Sequence, residues 1–334
     1  MKRVTLKDVA KKAGVDASTV SLVINNNSRI PEKTRQKVLK VIKFLNYRPN
    51  SAARILASGK TNNIAVVCIS FTAWYEMTLL KGIEKMMEET NYSMSQYPTA
   101  ANPDREEEFF GEVLNGGRAD AVIGISMLPG KKVLDGFKKN KIPFVSVGEM
   151  LNGFTNLLMN DFNGGYMAAE HLIKNKRKKT GLIIGKQHKG MGARDITERL
   201  RGFRKAFADY HAEFDERRVV VTDKYTIAAG EEKFNELMNL NGGIDGIFCA
   251  AGDIVAIGAM KEAKRKGVSV PGDIALVGYD DTEMSRGVAP ELTTVRQPVL
   301  RIGEEAFKAV EKLLKGEKAE DIIFEPEFII RESA

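Results

Sequence analysis

The chain has 334 residues, of which 43% are hydrophobic and 28% are charged. This length predicts two or three domains, and the composition is that of an ordinary globular protein. No apolar run reaches 18 residues, which argues against a membrane span. Cys68 and Cys249 stand singly inside apolar runs, which is typical of buried thiols and not of a disulfide framework or a metal site. The N-terminal residues lack the apolar segment of a secretory signal, so we expect a cytoplasmic protein. We expect no cofactor.

Charge is distributed unevenly along the chain. Residues 1–60 contain 14 Lys or Arg and 3 Asp or Glu, a net charge of +11, whereas the remaining residues contain 37 and 41, a net charge of −4. A run of charge by itself is as readily a solvated face. Eleven net positive charges within sixty residues shift the interpretation towards a nucleic-acid-binding module.

Three short helices are predicted in this basic segment. Thr5 can cap the first helix, "LKDVAKKAG", because Asp8 stands three positions later, and Gly14 ends it. The second helix is "ASTVSLVIN", and the third begins after Ile30 with Val38, Leu39, Ile42 and Leu45 as its core face. Two helices joined by a turn at Gly14 and supported by a third make a helix-turn-helix plan.

In a helix-turn-helix module, early side chains of the second helix reach base edges. Ser18 can hydrogen-bond to either class of base, and Ala17 and Leu22 suit contact with a thymine methyl, although small residues such as Ala17 can also be simple surface filler. Arg29, in the following loop, can reach a base edge or a phosphate, or remain solvated. The hydroxyl and amide side chains expected to contact phosphates are Thr5, Thr19, Ser21, Asn25, Thr34 and Tyr47.

From residue 63 onwards, short β-rich runs alternate with amphipathic helices. Such runs include "NIAVVCIS", "ADAVIGIS", "TGLIIG" and "IALVGYDD". The pattern predicts an α/β fold with two parallel sheets in two lobes and a cleft between them. We place the N-lobe at about 61–160 and 293–321, and the C-lobe at about 162–291 and 323–334.

Several polar side chains follow predicted strands of these lobes. Asp161, Asp253 and Asp280 come directly after strands, and Arg199 begins the helix that follows "GLIIG". Open α/β sheets bind ligands at the carboxyl ends of their strands, and carboxylates with an Arg fork suit a sugar or a purine. Asp253 and Asp161 have a structural alternative, because either can cap the helix that it precedes.

Two long stretches resemble the lactose/galactose repressor family. They are "TLKDVAKKAGVDASTVSLVINN" and "KVLKVIKFLNYRPNSAARILASGKT", and the later segments "DFNGGYMAAEHLI", "RLRGFRKAF" and "PELTTVRQP" resemble the effector domain that this family shares with periplasmic sugar receptors. The resemblance implies a headpiece at 1–47, a hinge at 48–60 and an effector-binding and dimerisation domain at 61–334. It also implies a homodimer on a pseudo-palindromic double-stranded operator.

The resemblance assigns roles to further residues. The segment "SAARILAS" is similar to a hinge helix that pairs with its copy in the minor groove, where Leu56 would wedge into a base step, Ala53 and Ala57 would allow close approach, and Arg54 would meet phosphate. Without the headpiece, this segment would be interpreted as a plain linker.

In the effector domain, the resemblance implies ligand contacts. Arg199 and Asp280 match the ligand-binding arginine and aspartate of the family, and Ser146 stands at a polar contact position. Trp74, Tyr75 and Tyr225 stand where aromatic rings often stack on the ligand, although an aromatic residue at such a place can equally belong to the core. The sequence departs from the family at Leu22 and Gly252, where many relatives have a long polar residue and an asparagine.

Enzymatic function is not expected. The three histidines show no metal-ligand spacing, and the chain has no nucleophile elbow or phosphate-binding loop. A stand-alone solute receptor would need no basic headpiece. We therefore expect a transcriptional repressor controlled by a sugar-like small molecule, with a protein corepressor as the open alternative. The effector, the sign of its effect and the choice of dimer or tetramer stay open.

Overall fold

The computed structural model describes residues 4–24, 27–47, 59–100, 102–187 and 193–334. The chain divides into two units, Met1–Thr61 and Asn62–Ala334, which we describe separately. Asn25 and most of the predicted hinge at 48–60, including Ala53, Arg54, Leu56 and Ala57, lie outside the described residues.

The first unit contains the three predicted helices, α1 (Leu6–Ala13), α2 (Ala17–Ile24) and α3 (Glu32–Phe44). The Thr5 hydroxyl accepts a hydrogen bond from the Asp8 amide at 3.3 Å, and the Asp8 carboxylate accepts one from the Thr5 amide at 2.8 Å. This reciprocal pair satisfies two amides at the start of α1. Gly14 ends α1 with φ +60°, a conformation that glycine adopts without strain.

A small core holds these three helices together. Its buried members are Val9, Ala10, Ala13, Val20, Val23, Val38 and Tyr47. The prediction that Leu39 belongs to the core is wrong, because 42% of its surface is exposed. The inward stripe of α3 runs through Val38, Val41, Ile42 and Leu45 at helical spacing, and Leu39 falls outside this stripe.

The second unit contains two six-stranded sheets with helices on their faces, which confirms the predicted α/β class. The first sheet has the strand order β11-β5-β4-β3-β1-β2, and all its pairings are parallel. Its strands are β1 (Asn63–Cys68), β2 (Ser93–Pro98), β3 (Ala121–Ile125), β4 (Phe144–Val147), β5 (Thr155–Met159) and β11 (Ile322–Phe324). Its helices are α4 (Trp74–Met87), α5 (Pro103–Gly116), α6 (Lys131–Asn140) and α11 (Val299–Leu314).

The second sheet has the order β12-β10-β9-β8-β6-β7, in which only β12 is antiparallel among the described strands. Its strands are β6 (Thr180–Gly185), β7 (Val219–Thr222), β8 (Gly246–Cys249), β9 (Ala275–Asp280), β10 (Thr293–Arg296) and β12 (Glu327–Ile329). Its helices are α7 (Asp161–Lys174), α8 (Arg194–Asp209), α9 (Ile227–Met238) and α10 (Asp253–Arg265), with short 3₁₀ turns at Glu216–Arg218 and Glu283–Arg286.

The chain passes between the two sheets at residue 160, at residues 297–298 and at residues 325–326. The predicted lobe boundaries were wrong at the second and third of these passages. Residues 293–296 form β10, which pairs with β9 of the second sheet, and residues 322–324 form β11, which pairs with β5 of the first sheet. The alternation of strands and helices in the sequence predicts where a strand lies. It does not predict which of the two sheets the strand joins, because that depends on the strand with which it pairs. The elements β2, α5 and β11 were not predicted.

Three pairs of neighbouring helices approach closely at glycines. A Cβ atom built on Gly165 of α7 would lie 2.0 Å from the carbonyl oxygen of Arg199, and one built on Gly202 of α8 would lie 1.8 Å from that of Phe162. Because a Cβ atom cannot approach backbone so closely, these helices need glycine where they cross. At the two other crossings the glycines face each other, Gly82 with Gly303 and Gly230 with Gly258.

Candidate nucleic-acid and ligand sites

Helix α2 presents two of the predicted base-contacting side chains to solvent. Ser18 is exposed, and 38% of the Leu22 surface is exposed. Arg29 is also exposed in the loop after α2, where its amide donates to the Asn27 side chain at 2.9 Å and the Arg35 guanidinium donates to the Asn27 carbonyl at 2.6 Å. These contacts fix the loop and leave Ser18, Leu22 and Arg29 accessible to a partner.

Two predicted DNA contacts also pack against the core of the headpiece. Ala17 is half-buried and packs against the core with part of its surface, so its contact with a base stays a prediction. Tyr47 is buried in the same core with 9% of its surface exposed, so little of its side chain is available for the predicted phosphate contact. Thr5 is exposed but its hydroxyl also serves the cap of α1. Thr19, Ser21 and Thr34 are half-buried.

In the second unit, Arg199 is held from three sides. Its Nε donates to Asp161 Oδ1 at 2.8 Å, its Nη1 donates to the carbonyl of Ala250 at 2.8 Å, and its guanidinium lies 3.7 Å from the centre of the Tyr279 ring. The Tyr279 hydroxyl donates to the same Asp161 oxygen at 3.0 Å. Although burial works against its charged form, the neighbouring Tyr279, Asp161 and Asp195 raise the pKa of Arg199 well above its ordinary value.

Asp161 is an internal partner of this arginine. Only 2% of its surface is exposed, and it also lies 3.7 Å from the Arg194 guanidinium. It is not the cap of α7, because the Asn160 side chain accepts the amide of Asn163 at 3.1 Å and performs that role. Asp161 therefore positions Arg199. Among the described ion pairs, the Nη2 atom of Arg199 takes part in one only, with Asp195 at 3.9 Å.

Asp280 ends β9 in a strained conformation that aims its side chain at the same region. Its φ is +110°, which L-residues rarely adopt, and its Oδ1 accepts a hydrogen bond from Gln297 at 2.7 Å. A Cβ atom on Gly252 would lie 2.9 Å from Asp280 Oδ2. The glycine that departs from the family pattern thus makes room for the Asp280 carboxylate, whose pKa is raised by burial to about 6.

The three predicted aromatic residues surround these charges. Tyr75 lies close enough to Asp161 and Arg199 for their charges to act on its hydroxyl, and Tyr225 lies close enough to Asp195 and Arg199. Trp74, the first residue of α4, lines a cavity of about 370 Å³ together with Asp280 and Gln297. Side chains of α4 from the first lobe therefore lie near charged side chains of α8 and β9 across the cleft between the lobes. The cavity itself is lined by Trp74, Asp280 and Gln297 and not by Arg199.

Two predicted ligand contacts are used internally. Ser146 is fully buried in β4, where its hydroxyl donates to the Glu149 carbonyl at 2.7 Å. Asp253 is 1% exposed, and its carboxylate accepts from the Thr282 amide at 2.7 Å and from the Thr294 hydroxyl at 2.6 Å. Both predictions of ligand contact are corrected, because these hydrogen bonds join neighbouring loops and strands and leave neither side chain facing the cleft.

The sequence did not identify several residues of this cleft. Glu149 accepts a hydrogen bond from the Arg194 amide at 3.1 Å, and Arg194 in turn donates to the Met159 carbonyl at 3.0 Å. Glu76, in the first turn of α4, lies near Asp195 and Asp280. Their only local signal is an acidic or basic residue at the end of a strand or the start of a helix, which is common elsewhere in the chain.

Two negative observations apply to the described part of the chain. It contains no group of three or more His, Cys, Asp or Glu side chains arranged to hold a metal ion. None of its helices combines the length and the apolar character needed to cross a membrane.

Comparison with known proteins gives both units a counterpart. Residues 5–50 match the model of bacterial regulatory proteins of the lacI family, and residues 169–334 match a periplasmic binding protein-like domain. Among solved structures, the transcriptional regulator CelR–cellobiose complex is 26% identical with a TM-score of 0.72 and full-length coverage (99% of this chain, 100% of that chain). The lac repressor dimer bound to operator and the anti-inducer ONPF has a TM-score of 0.85 at 23% identity, with 99% of each chain covered, and shows the shared fold.

Curated relatives extend over nearly the whole length. The HTH-type transcriptional regulator DegA of Bacillus subtilis is 32% identical over 338 residues, which cover 99% of this chain and 98% of DegA. The HTH-type transcriptional repressor PurR of Mannheimia succiniciproducens is 33% identical over 335 residues, which cover 98% of each. With this identity over both the helix-turn-helix unit and the two-lobed unit, the chain belongs to the lacI family of bacterial transcriptional regulators.

Proposed function

We propose that this regulator is a repressor that binds a pseudo-palindromic operator as a homodimer and responds to a hydroxyl-rich small molecule in the interlobe cleft. The observation that carries the proposal is the fixed Arg199 fork, held by Asp161, Ala250 and Tyr279 beside aromatic rings from both lobes. Because Nε and Nη1 donate inside the protein, the Nη2 side of the guanidinium is the part offered to the hydroxyls of a sugar or the heteroatoms of a purine.

The DNA-binding half of the proposal is supported by the accessible face of α2. Ser18 and Leu22 are offered to a partner there, and residues 1–60 carry a net charge of +11 that favours the phosphate backbone. The hinge roles of Leu56, Ala53, Ala57 and Arg54 rest on the family resemblance. Twofold symmetry of a dimer would require two half-sites in the operator.

Control by the effector follows from linkage. A ligand that contacts both lobes favours the arrangement of the lobes in which those contacts are made, and it changes operator affinity only by its differential affinity for the two states. The DegA and PurR relatives are transcription regulators, and no step of the proposal needs catalysis. A regulator of transcription works where the chromosome is, so we assign it to the cytoplasm.

The test uses the full-length protein. An operator is selected from random duplexes, and fluorescence anisotropy follows its binding while cellobiose, ribose, other sugars and purine bases are titrated. Arg199→Lys keeps a cation beside Asp161 but loses the planar fork. We expect its ligand affinity to fall by at least about tenfold, because hydrogen bonds from charged groups contribute about 1.5 to 3 kcal/mol.

The matched control is Arg204→Lys on the same helix. Arg204 makes an exposed ion pair with Glu216 at 2.6 Å, and such surface pairs contribute little. We expect its ligand response to equal that of the wild type. An Arg199→Lys dose response that is also unchanged would contradict the cleft assignment, and an operator affinity that no compound alters would favour the protein corepressor.

A further inference from the structure

Glu76 has an unusual position at the start of α4. It follows Trp74 and Tyr75 in the first turn of the helix, and it lies near Asp280 and Asp195 of the second lobe. Its Oε2 atom is buried and has no hydrogen-bond partner among the residues that the structure describes. A buried carboxylate oxygen without a partner is costly, so native proteins rarely keep one without a functional reason.

Stabilisation of α4 explains why an acidic residue stands in its first turn, but it does not explain why Glu76 Oε2 is buried. An acidic residue in the first turn interacts favourably with the helix dipole and its free amides, and the backbone amide of Glu76 favours the ionised form. That interaction is available to an exposed side chain equally well. It gives no reason for the burial of Oε2 next to other acidic groups.

The charges that act most strongly on Glu76 are negative. Glu76 on α4 faces Asp280 at the end of β9 and Asp195 on α8, and the nearby Asp161 and Glu149 are also acidic. Among the described residues, Arg199 and Arg194 carry positive charge in this region, and their hydrogen bonds go to Asp161 and to carbonyl oxygens. Arg296 and Arg301 line the cavity beside Asp280, and Arg296 is paired with Asp281 and Glu327. A phosphate or carboxylate group placed beside Glu76 would therefore be repelled by Glu76, Asp280 and Asp195.

We infer that Glu76 contacts the effector and selects a ligand that donates hydrogen bonds and bears no negative charge, namely a neutral sugar or an amino sugar in preference to a sugar phosphate or sugar acid. A hydroxyl or ammonium group can donate a hydrogen bond to Oε2, whereas a phosphate or carboxylate group has no proton to donate and repels the ionised form of Glu76. This inference rests on the proposed function, since it requires an effector in this cleft.

Protonation gives the inference a second observable. Burial, reinforced by Asp280 and Asp195, raises the pKa of Glu76 to about 7. A ligand that donates to the carboxylate favours its ionised form, so binding near pH 7 releases a proton. The affinity of such a ligand should then increase between pH 6 and pH 8, and this dependence should disappear when Glu76 cannot ionise.

The experiment compares full-length wild type with Glu76→Gln and with the control Glu84→Gln, an exposed residue on the same helix. The probes are glucose, cellobiose, ribose and glucosamine, set against glucose 6-phosphate and glucuronate, and binding is measured by thermal shift and calorimetry at pH 6, 7 and 8. We expect neutral or amino sugars to bind. Their affinity should fall by about tenfold or more in Glu76→Gln, with loss of the pH dependence, and should be unchanged in Glu84→Gln.

Three results would overturn the inference. They are tighter binding of the anionic probes, absence of binding by every neutral and amino sugar, and equal behaviour of Glu76→Gln and Glu84→Gln. Operator binding is measured on the same samples, because Glu76 is not part of the DNA-binding unit. Wild-type protein that binds no operator would count against the proposed function, whereas normal operator control by an anionic sugar would count against Glu76 alone.

Discussion

Replacing Gly165 by alanine would set a methyl group against the backbone of α8. The added Cβ atom would lie 2.0 Å from the carbonyl oxygen of Arg199, 2.8 Å from its carbonyl carbon and 2.9 Å from its Cα. All three neighbours are backbone atoms, so no rotamer change relieves the overlap. Helix α8 would have to retreat by about 1 Å, in a close-packed interior that resists such displacement.

The expected cost follows from two opposing effects. Overpacking costs about 1 to 3 kcal/mol and is at the upper end when the neighbour is backbone, whereas alanine improves helix propensity by about 1 kcal/mol over glycine. We expect Gly165→Ala to lower the free energy of unfolding by about 2 kcal/mol. This corresponds to a fall in Tm of about 4 to 8 °C for a unit of this size.

The same displacement should reach the ligand site. Arg199 is the residue whose backbone is pushed, and its Nε donates to Asp161 at 2.8 Å. We expect ligand affinity to fall together with Tm, since catalytic and binding groups tolerate little misplacement. Thermal unfolding at fixed protein concentration and ligand titration measure the two effects.

Gly111→Ala provides the matched control. Gly111 lies inside α5, and a Cβ atom there meets nothing within 4 Å. Only the gain in helix propensity remains, so we expect an increase in Tm of about 2 to 4 °C. If both substitutions changed Tm in the same direction, the close approach of α7 and α8 would not be the controlling factor.

Two further predictions concern the DNA-binding face and the buried carboxylate of α10. Leu22→Ala should weaken operator binding by about 1 to 3 kcal/mol in anisotropy measurements, because its apolar contact with a base is lost. The control Leu39→Ala changes a residue with a similar exposed fraction of 42% and should bind the operator as the wild type does. Equal losses of affinity in the two variants would contradict the special role of α2. Asp253→Asn can keep hydrogen bonds to Thr282 and Thr294, so it should unfold close to the wild-type Tm. Asp253→Ala leaves the Thr282 amide without its partner, so its free energy of unfolding in denaturant should fall by about 1 to 3 kcal/mol. Equal stability of the two Asp253 variants would contradict the joining role.

Local rules explain why the helical headpiece and most strands were predictable. The cap at Thr5 and Asp8 needs two residues three positions apart, and the end of α1 needs only Gly14, so both are readable from short range. Leu39 was misplaced because a helix of thirteen residues with several apolar positions allows more than one apolar stripe. The strand β10 was assigned to the wrong lobe because pairing with β9 is a long-range choice.

The cleft shows the same division between local and long-range information. Arg199, Asp280 and the aromatic residues were identified from their places after strands and from the family resemblance. The internal roles of Ser146 and Asp253 depend on partners such as the Glu149 carbonyl and Thr294. Those partners are set by how loops meet in three dimensions, and residue type alone does not distinguish a carboxylate that faces a ligand from one that joins two loops.

The sequence by itself determined the basic helix-turn-helix segment, the two-lobed α/β class and the family, because charge, periodicity and motif spacing are properties of the chain. Only the tertiary structure decided that Asp161 serves Arg199, that Gly252 makes room for Asp280 and that Glu76 has a buried oxygen at the cleft. Each of these depends on atoms far apart in the chain that packing brings within a few ångströms. Burial then changes what a carboxylate can do, because its free energy depends on the partners and the solvent around it.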